Sequence, residues 1–273
     1  MTEHDHDDHK HGLEFDLERL LQQSRRRRGV LALLGGGGLA AVVASYAPAA
    51  SAQGAVCVVD ASETAGPYPG DGSNNAPGGT SNILADSGVV RSDIRSSFGT
   101  STTTAAGVPL TLRIKLGDAG NACAPLPGTA IYLWHCTQDG RYSLYTAPDE
   151  NYLRGVQVAD ADGYVTFTTI FPGCYDGRWP HIHFEIYPDL DAATDHRNAV
   201  LTSQFALPAD ACTDVYANAP GYEASTGNFA RISLERDMVF RDNSDAEMTM
   251  MTPVLSGNIA DGYVADVTVG IAA

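Results

Sequence analysis

Two histidines, His181 and His183, stand at i and i+2 in the run HIHFEIY. The run holds aromatic and β-branched residues with no breaker and reads as a β-strand. Alternate side chains of a strand share a face, so both imidazoles point the same way. Two nitrogens side by side on a rigid element supply half of a metal site. Upstream, FPGCYDGRWP sets Tyr175 on a turn after Pro172-Gly173 and puts Arg178 between it and the histidines; DGRYSLY carries a further tyrosine, Tyr142. Tyr142, Tyr175, His181 and His183 are the candidate ligands. Phenolate and imidazole together would suit a hard, highly charged ion, and a fixed guanidinium beside them could stabilise developing negative charge.

Each residue alone has a plainer reading. A tyrosine on a turn ordinarily packs, an arginine ordinarily pairs with a surface acid, and half-buried strands carry His-x-His for other reasons. His135, after a tryptophan at a strand end, reads as a structural hydrogen-bonding histidine, and His196, in a polar loop, as a solvated one.

The elements that must position these residues are mostly strands. Leu110, Leu112, Ile114 and Leu116 alternate with Thr111, Arg113 and Lys115, a half-buried strand. Residues 130–136 (AIYLWHC) read as a more continuously buried strand. Asp160-Ala161-Asp162-Gly163 is a turn before a strand at 164–170, and strands at 181–187, 199–205 and 263–271 complete the set. Residues 66–82, rich in Gly, Pro and Asn, should wrap over the surface. Long helical periodicity is missing. Short strands separated by turn signals predict an all-β, single-domain β-sandwich with long N-terminal and connecting loops.

The ends and the composition bound the setting. Arg25–Arg28 precede an apolar, glycine-rich run from Gly29 to Ala47 and then Ala50-Ser51-Ala52. A charged region, an apolar region and A-x-A describe a secretory leader, and Arg27-Arg28 before Gly-Val-Leu resembles a twin-arginine signal, which would engage the export machinery and place the protein outside the cell. The expected organisation is a leader at 1–52 and one domain at 53–273. His4, His6, His9 and His11 fall in the leader and would leave with it. The chain holds 33 acids against 17 bases; after residue 52 the counts are 26 and 11, a net charge of −15. Such a surface repels nucleic acid and anionic membranes. Five cysteines, Cys57, Cys123, Cys136, Cys174 and Cys212, follow the leader, an odd number without C-x-x-C spacing. Export permits disulfides; their connectivity is not written in the sequence, and Cys57 with Cys123 is the pair favoured among the alternatives. Whether copies of the chain form a homo-oligomer is not written in the sequence.

Five pieces in order resemble the intradiol ring-cleavage dioxygenases, the group that includes catechol 1,2-dioxygenase and protocatechuate 3,4-dioxygenase. They are GPY at 66–68, RSDIR at 91–95, LWHCTQDGRYS at 133–143, DADGYVTFTTIFPG at 160–173 and RWPHIHF at 178–184. The resemblance covers most of residues 57–205, and within the family it is nearest to exported members. It implies one Fe(III) per chain held by Tyr142, Tyr175, His181 and His183. It also implies Arg178 as the active-site arginine, Tyr175 as the phenolate that takes a substrate proton, and Gln204 and Tyr68 as pocket positions. Trp179 either stacks on the pocket or packs. The implied partners are a small aromatic diol and O2, and the implied product is a muconate-type diacid. One departure from the family stands out: only five residues separate Tyr175 from His181, where the cytoplasmic enzymes carry a longer insertion. The site is therefore expected to be more open, with neutral catechols favoured over carboxylated ones. Two other classes compete: a zinc hydrolase using His181, His183 and a carboxylate, and a non-catalytic sandwich that binds extracellular ligands such as carbohydrate.

Overall fold

A computed structural model describes residues 57–77, 79 and 82–272; the expected leader lies outside the described residues. One sheet is built on β1 (Pro109–Asp118), which pairs in parallel with β9 (Gly262–Ile271) and antiparallel with β2 (Ala124–Pro125) and β5 (Tyr164–Ile170). The edge beyond β9 is β8 (Val254–Asn258). The other sheet runs β4 (Arg154–Val158), β3 (Ala130–Trp134), β6 (His181–Tyr187), β7 (Leu201–Ala206), all antiparallel. The fold is the expected β-sandwich.

The alternation in β1 does what its pattern predicts. Leu110, Leu112, Ile114 and Leu116 are buried and meet Phe167, Ile182, Phe184, Ile186 and Phe205 in one core between the sheets. Each such side chain contributes roughly 1.5–3 kcal/mol by leaving water. All seven residues of β6 are buried. Its even-numbered residues enter the sandwich core. Its odd-numbered residues, His181, His183, Glu185 and Tyr187, face outward beneath a second layer. That layer holds Tyr142, Tyr145, Ile83 and Leu84, with Tyr132 and Trp134 of β3 alongside.

The N-terminal segment forms this cover. Cys57 is bridged to Cys123, as expected. Further along, Glu63 N–H donates to Thr202 O (2.7 Å) and Ser203 Oγ donates to Ala61 O (2.6 Å). Cys136, Cys174 and Cys212 are buried free thiols.

Six elements depart from the sequence expectation. Helices α1 (Ala209–Asn218), α2 (Glu223–Phe229) and α3 (Asp245–Met251) lie between β7 and β8. They are short, and the buried set of α1 (Ala211, Cys212, Val215, Tyr216) is broken up by Asp, Thr and Asn, so no long period shows. A capping box signals α3: Glu247 N–H donates to Ser244 Oγ, and Ser244 N–H donates back to the Glu247 carboxylate. Strands β2, β4 and β8 were not anticipated, because β2 has only two residues and RGVQV and VLSGN lack clean alternation. Smaller shifts occur at strand ends: β3 stops at Trp134, and β7 begins at Leu201.

Asp60 gives the fold a pH dependence. Its side chain is buried; Oδ1 accepts the Gly270 N–H at 3.3 Å, and Oδ2 has no hydrogen-bond partner among the described residues. Burial raises its pKa from 3.8 to about 7, with the Gly270 N–H pulling it down and Glu247 pushing it up. Because the folded pKa lies above the unfolded one, stability is greatest below pH ~4 and declines as pH rises through about 7, by up to about 4 kcal/mol. Asp60→Asn keeps the neutral form. Its Tm should exceed that of the wild type at pH 8 and approach it at pH 4; thermal melts showing no pH-dependent difference would contradict this.

Candidate metal centre

Antiparallel register sets one row across three strands of the second sheet: Trp134 on β3 pairs with His183 on β6, and His183 pairs with Gln204 on β7. The Trp134 and His183 rings stack at 4.9 Å with 6° between planes, which fixes the imidazole. His181 lies two residues back on the same face. Its Nδ1 meets Trp179 O at 2.5 Å; a carbonyl only accepts, so Nδ1 carries the proton and Nε2 presents a bare lone pair.

The tyrosines arrive on turns. Tyr142 opens a tight turn in which the N–H groups of Tyr145, Thr146 and Ala147 all donate to its carbonyl, while its own N–H donates to Thr146 Oγ1. Its ring is buried, with Tyr68 at 4.8 Å between centroids. Tyr175 sits over the turn ending at Gly140. A Cβ on Gly140 (φ +85°) would lie 3.1 Å from Tyr175 Cβ, and one on Gly173 would lie 2.4 Å from Gln138 O, so both positions need glycine for this approach. Tyr175 is only half-buried, the most accessible of the four candidate ligands.

Four donor atoms converge. Around His181 Nε2 stand His183 Nε2 at 3.0 Å, Tyr175 Oη at 3.1 Å and Tyr142 Oη at 3.4 Å. One imidazole lone pair cannot serve three donors. These separations suit a shared cation, since ligands each about 2.1 Å from one ion at right angles lie about 3 Å apart. Burial, joined by the Arg178 charge, pulls His181 down to about 3; burial and the neighbouring His181 hold His183 well below the usual histidine range. Both imidazoles are therefore neutral, the form that ligates. Burial, with Tyr175 adding to it, pushes the Tyr142 phenol well above its ordinary value. A bound cation would reverse that direction and favour phenolate.

Arg178 is buried beside this cluster. Nε donates to Asp237 Oδ2 (3.0 Å) and Nη2 to Gln204 Oε1 (2.7 Å), while Gln204 Nε2 donates to Thr64 O (2.9 Å). Gln204, expected at the pocket, thus spends its amide on holding Arg178 to the N-terminal cover. Tyr68 stands beside Tyr142, with ring centroids 4.8 Å apart. Trp179 takes the packing alternative: its Nε1 donates to Leu207 O and its ring meets Phe229 at 5.0 Å in a satellite core. His135 is structural, with Nδ1–H donating to Cys136 O and Thr169 Oγ1 at 2.6 Å from Nε2; burial lowers its pKa to about 4. Among the described residues no group of three or more His, Cys, Asp or Glu could hold a metal, so the zinc site of two histidines and a carboxylate is not assembled.

Two supports escaped the sequence reading. One is Asp237, in the run LERDMVFRD. The other is Arg154 of β4, fully buried among oxygens. Its guanidinium donates to Tyr68 O (2.9 Å), Pro69 O (2.7 Å), Tyr132 Oη (3.1 Å), Ser143 Oγ (2.9 Å) and Ser143 O (2.9 Å). It ties the segment carrying Tyr68 to the turn carrying Tyr142. No signal in RGVQV marks it, since an arginine at a strand end ordinarily reads as exposed.

Residues 92–213 match a family model described as Dioxygenase. A curated relative, chlorocatechol 1,2-dioxygenase of Rhodococcus opacus, is 32% identical over 83 residues; the match takes in 26% of this chain and 32% of the relative's length. An intradiol ring-cleavage dioxygenase structure from Tetranychus urticae aligns with TM-score 0.59 at 21% identity, covering 79% of this chain and 95% of that one. A second dioxygenase structure aligns with TM-score 0.59 at 22% identity, covering 79% and 94%.

Removing the Arg154 hub should cost stability. Arg154→Met leaves five buried oxygens without their donor, and hydrogen bonds to a charged group contribute about 1.5–3 kcal/mol each. The expected loss is above ~3 kcal/mol by urea unfolding. A loss below ~1 kcal/mol would show that the hub does not hold these segments.

Proposed function

We propose that the chain is an intradiol ring-cleavage dioxygenase, an exported Fe(III) enzyme that opens catechol-type rings between the two hydroxylated carbons. The substrates are a small aromatic diol and O2, and the product is a muconate-type diacid. The equation balances without an external reductant, since both oxygen atoms enter the product and the carbon–carbon bond is the one oxidised. The convergence of His183 Nε2 and of the Tyr175 and Tyr142 hydroxyls on His181 Nε2, at 3.0–3.4 Å, carries this reading. The Cys57–Cys123 disulfide favours an oxidising compartment and so supports export.

Tyr142, Tyr175, His181 and His183 would hold the ion. When bound, ferric iron supplies a Lewis-acidic centre that chelates the deprotonated diol and brings it together with O2. The protein's residues do the rest. Trp179 O fixes the His181 tautomer that leaves Nε2 free to ligate, and stacking on the Trp134 ring holds the His183 imidazole in place. Tyr142, locked in its turn and buried, would serve as a fixed phenolate ligand once the cation is bound. Tyr175 is the phenolate with room to move, and it takes a proton from the incoming diol. The Arg178 charge acts on Tyr142 and both histidines and stabilises negative charge on the substrate side of the site.

Charge also bears on the substrate. Arg178 is offset by buried Asp237, and the residues after the leader carry a net −15. A carboxylated ring meets little net positive charge, so neutral catechols fit better.

His183→Ala removes one donor while leaving the other ligands on their elements. The wild-type protein should be red-brown, with one iron per chain by elemental analysis, and the variant colourless and iron-free. A variant with full iron and colour would remove His183 from the site. Oxygen uptake with catechol, 4-methylcatechol, a bulkier plant catechol and protocatechuate tests the charge argument. Broadly similar efficiency is expected for the neutral rings. A preference for protocatechuate of about a hundredfold, or about 2.7 kcal/mol, would require a dedicated carboxylate pocket and contradict it.

A further inference from the structure

The most heavily bonded acid near the site lies outside the residues matched by the family model. Asp237 follows α2, in the helical segment between β7 and β8, and is fully buried. Oδ1 accepts the N–H groups of Val239 (2.8 Å) and Phe240 (3.2 Å), so the acid is fixed by its own turn. Oδ2 accepts Arg178 Nε–H at 3.0 Å and Trp179 N–H at 2.6 Å. Burial pushes this carboxyl up, but the Arg178 charge and the Trp179 and Val239 N–H groups pull it below the ordinary carboxylate range. It stays ionised.

We propose that Asp237 is a positioning residue that aims the Arg178 guanidinium at the site. The assignment of Arg178 to ring cleavage rests on the function proposed above; the contact between the two residues does not. An arginine has several rotatable bonds and would otherwise sample many orientations at the strand entrance. Here two parts of the fork are held: Nε by Asp237, and Nη2 by Gln204 at 2.7 Å with a longer approach of 3.5 Å to Asp237 Oδ1. The guanidinium plane is therefore set by one acid from the C-terminal segment and one amide from β7. A buried ion pair is a poor device for stability alone, since an apolar pair of similar volume often does as well. It is a good device for orientation, because both partners lose freedom together. The same carboxylate holds the Trp179 peptide, whose carbonyl accepts His181 Nδ1–H. The guanidinium and the first ligand histidine are thereby referred to one anchor. Helix α2 adds to it, with Asn228 Nδ2 donating to Cys174 O and Ser225 Oγ accepting Cys174 N–H. The C-terminal helices thus buttress the short connection from Tyr175 to His181.

The test is Asp237→Asn, which keeps the shape and removes the charge. The variant should hold close to one iron per chain and keep the KM for catechol within about threefold, while kcat falls at least about tenfold. Damage to packing alone would lower iron content and active fraction without this split. Unchanged kcat, or a loss confined to KM or to iron, would overturn the assignment. A second readout needs neither iron nor turnover and remains if the variant does not fold. In the metal-free wild type, the Arg178 Nε–H resonance should exchange with water far more slowly than that of exposed Arg197. Exchange as fast as at Arg197 would overturn the assignment. A wild type without iron or without oxygen uptake would instead defeat the proposed function, and the Nε–H measurement would still decide whether Asp237 holds Arg178.

Discussion

A strand has only two faces, and on β6 both are buried. That constraint organises the molecule around the site. Ile182, Phe184 and Ile186 are locked into the core between the sheets, so His181, His183, Glu185 and Tyr187 must face the other way. A slip of one residue would drive the imidazoles into the hydrophobic core and bring the Phe and Ile side chains out, so the register is specified by the whole sandwich. The outer face then needs a roof, because buried polar groups without partners are costly. The N-terminal segment, the Tyr142 turn and the C-terminal helices provide it.

Two buried guanidinium groups join that roof to the strands by different means. Arg154 is solvated by neutral oxygens from Tyr68, Pro69, Tyr132 and Ser143, in the way a water shell would solvate it. Arg178 is paired with a carboxylate and an amide. The first arrangement spreads one charge over several segments and holds them together. The second fixes one charge in one orientation.

The parts of this arrangement that depend on side-chain period were legible in the sequence. HIHFEIY declared its strand and its shared imidazole face, and Leu110 to Leu116 declared the core face of β1. The turn positions of Tyr142 and Tyr175 could be read, but their convergence on His181 could not, because it depends on long-range packing that no local pattern records. Arg154 and Asp237 were missed for one physical reason: a charged residue is ordinarily solvated, and only the tertiary fold shows that it is buried with partners. The helices after β7 were missed because three short segments give too few turns for a 3.6-residue period to emerge. Trp179 had two open readings, and the fold turned its ring toward Phe229 and Leu207.

The reaction proposed for the four-donor cluster inserts both atoms of O2 between the hydroxylated carbons of a diol. Its most direct test is to incubate the iron-loaded protein with catechol under oxygen-18 gas and to analyse the product by mass spectrometry. The account predicts an acyclic dicarboxylic acid with a heavy oxygen atom in each new carboxyl group. A product carrying a single heavy atom, an aldehyde-bearing ring-opened product, or no consumption of labelled oxygen would contradict it.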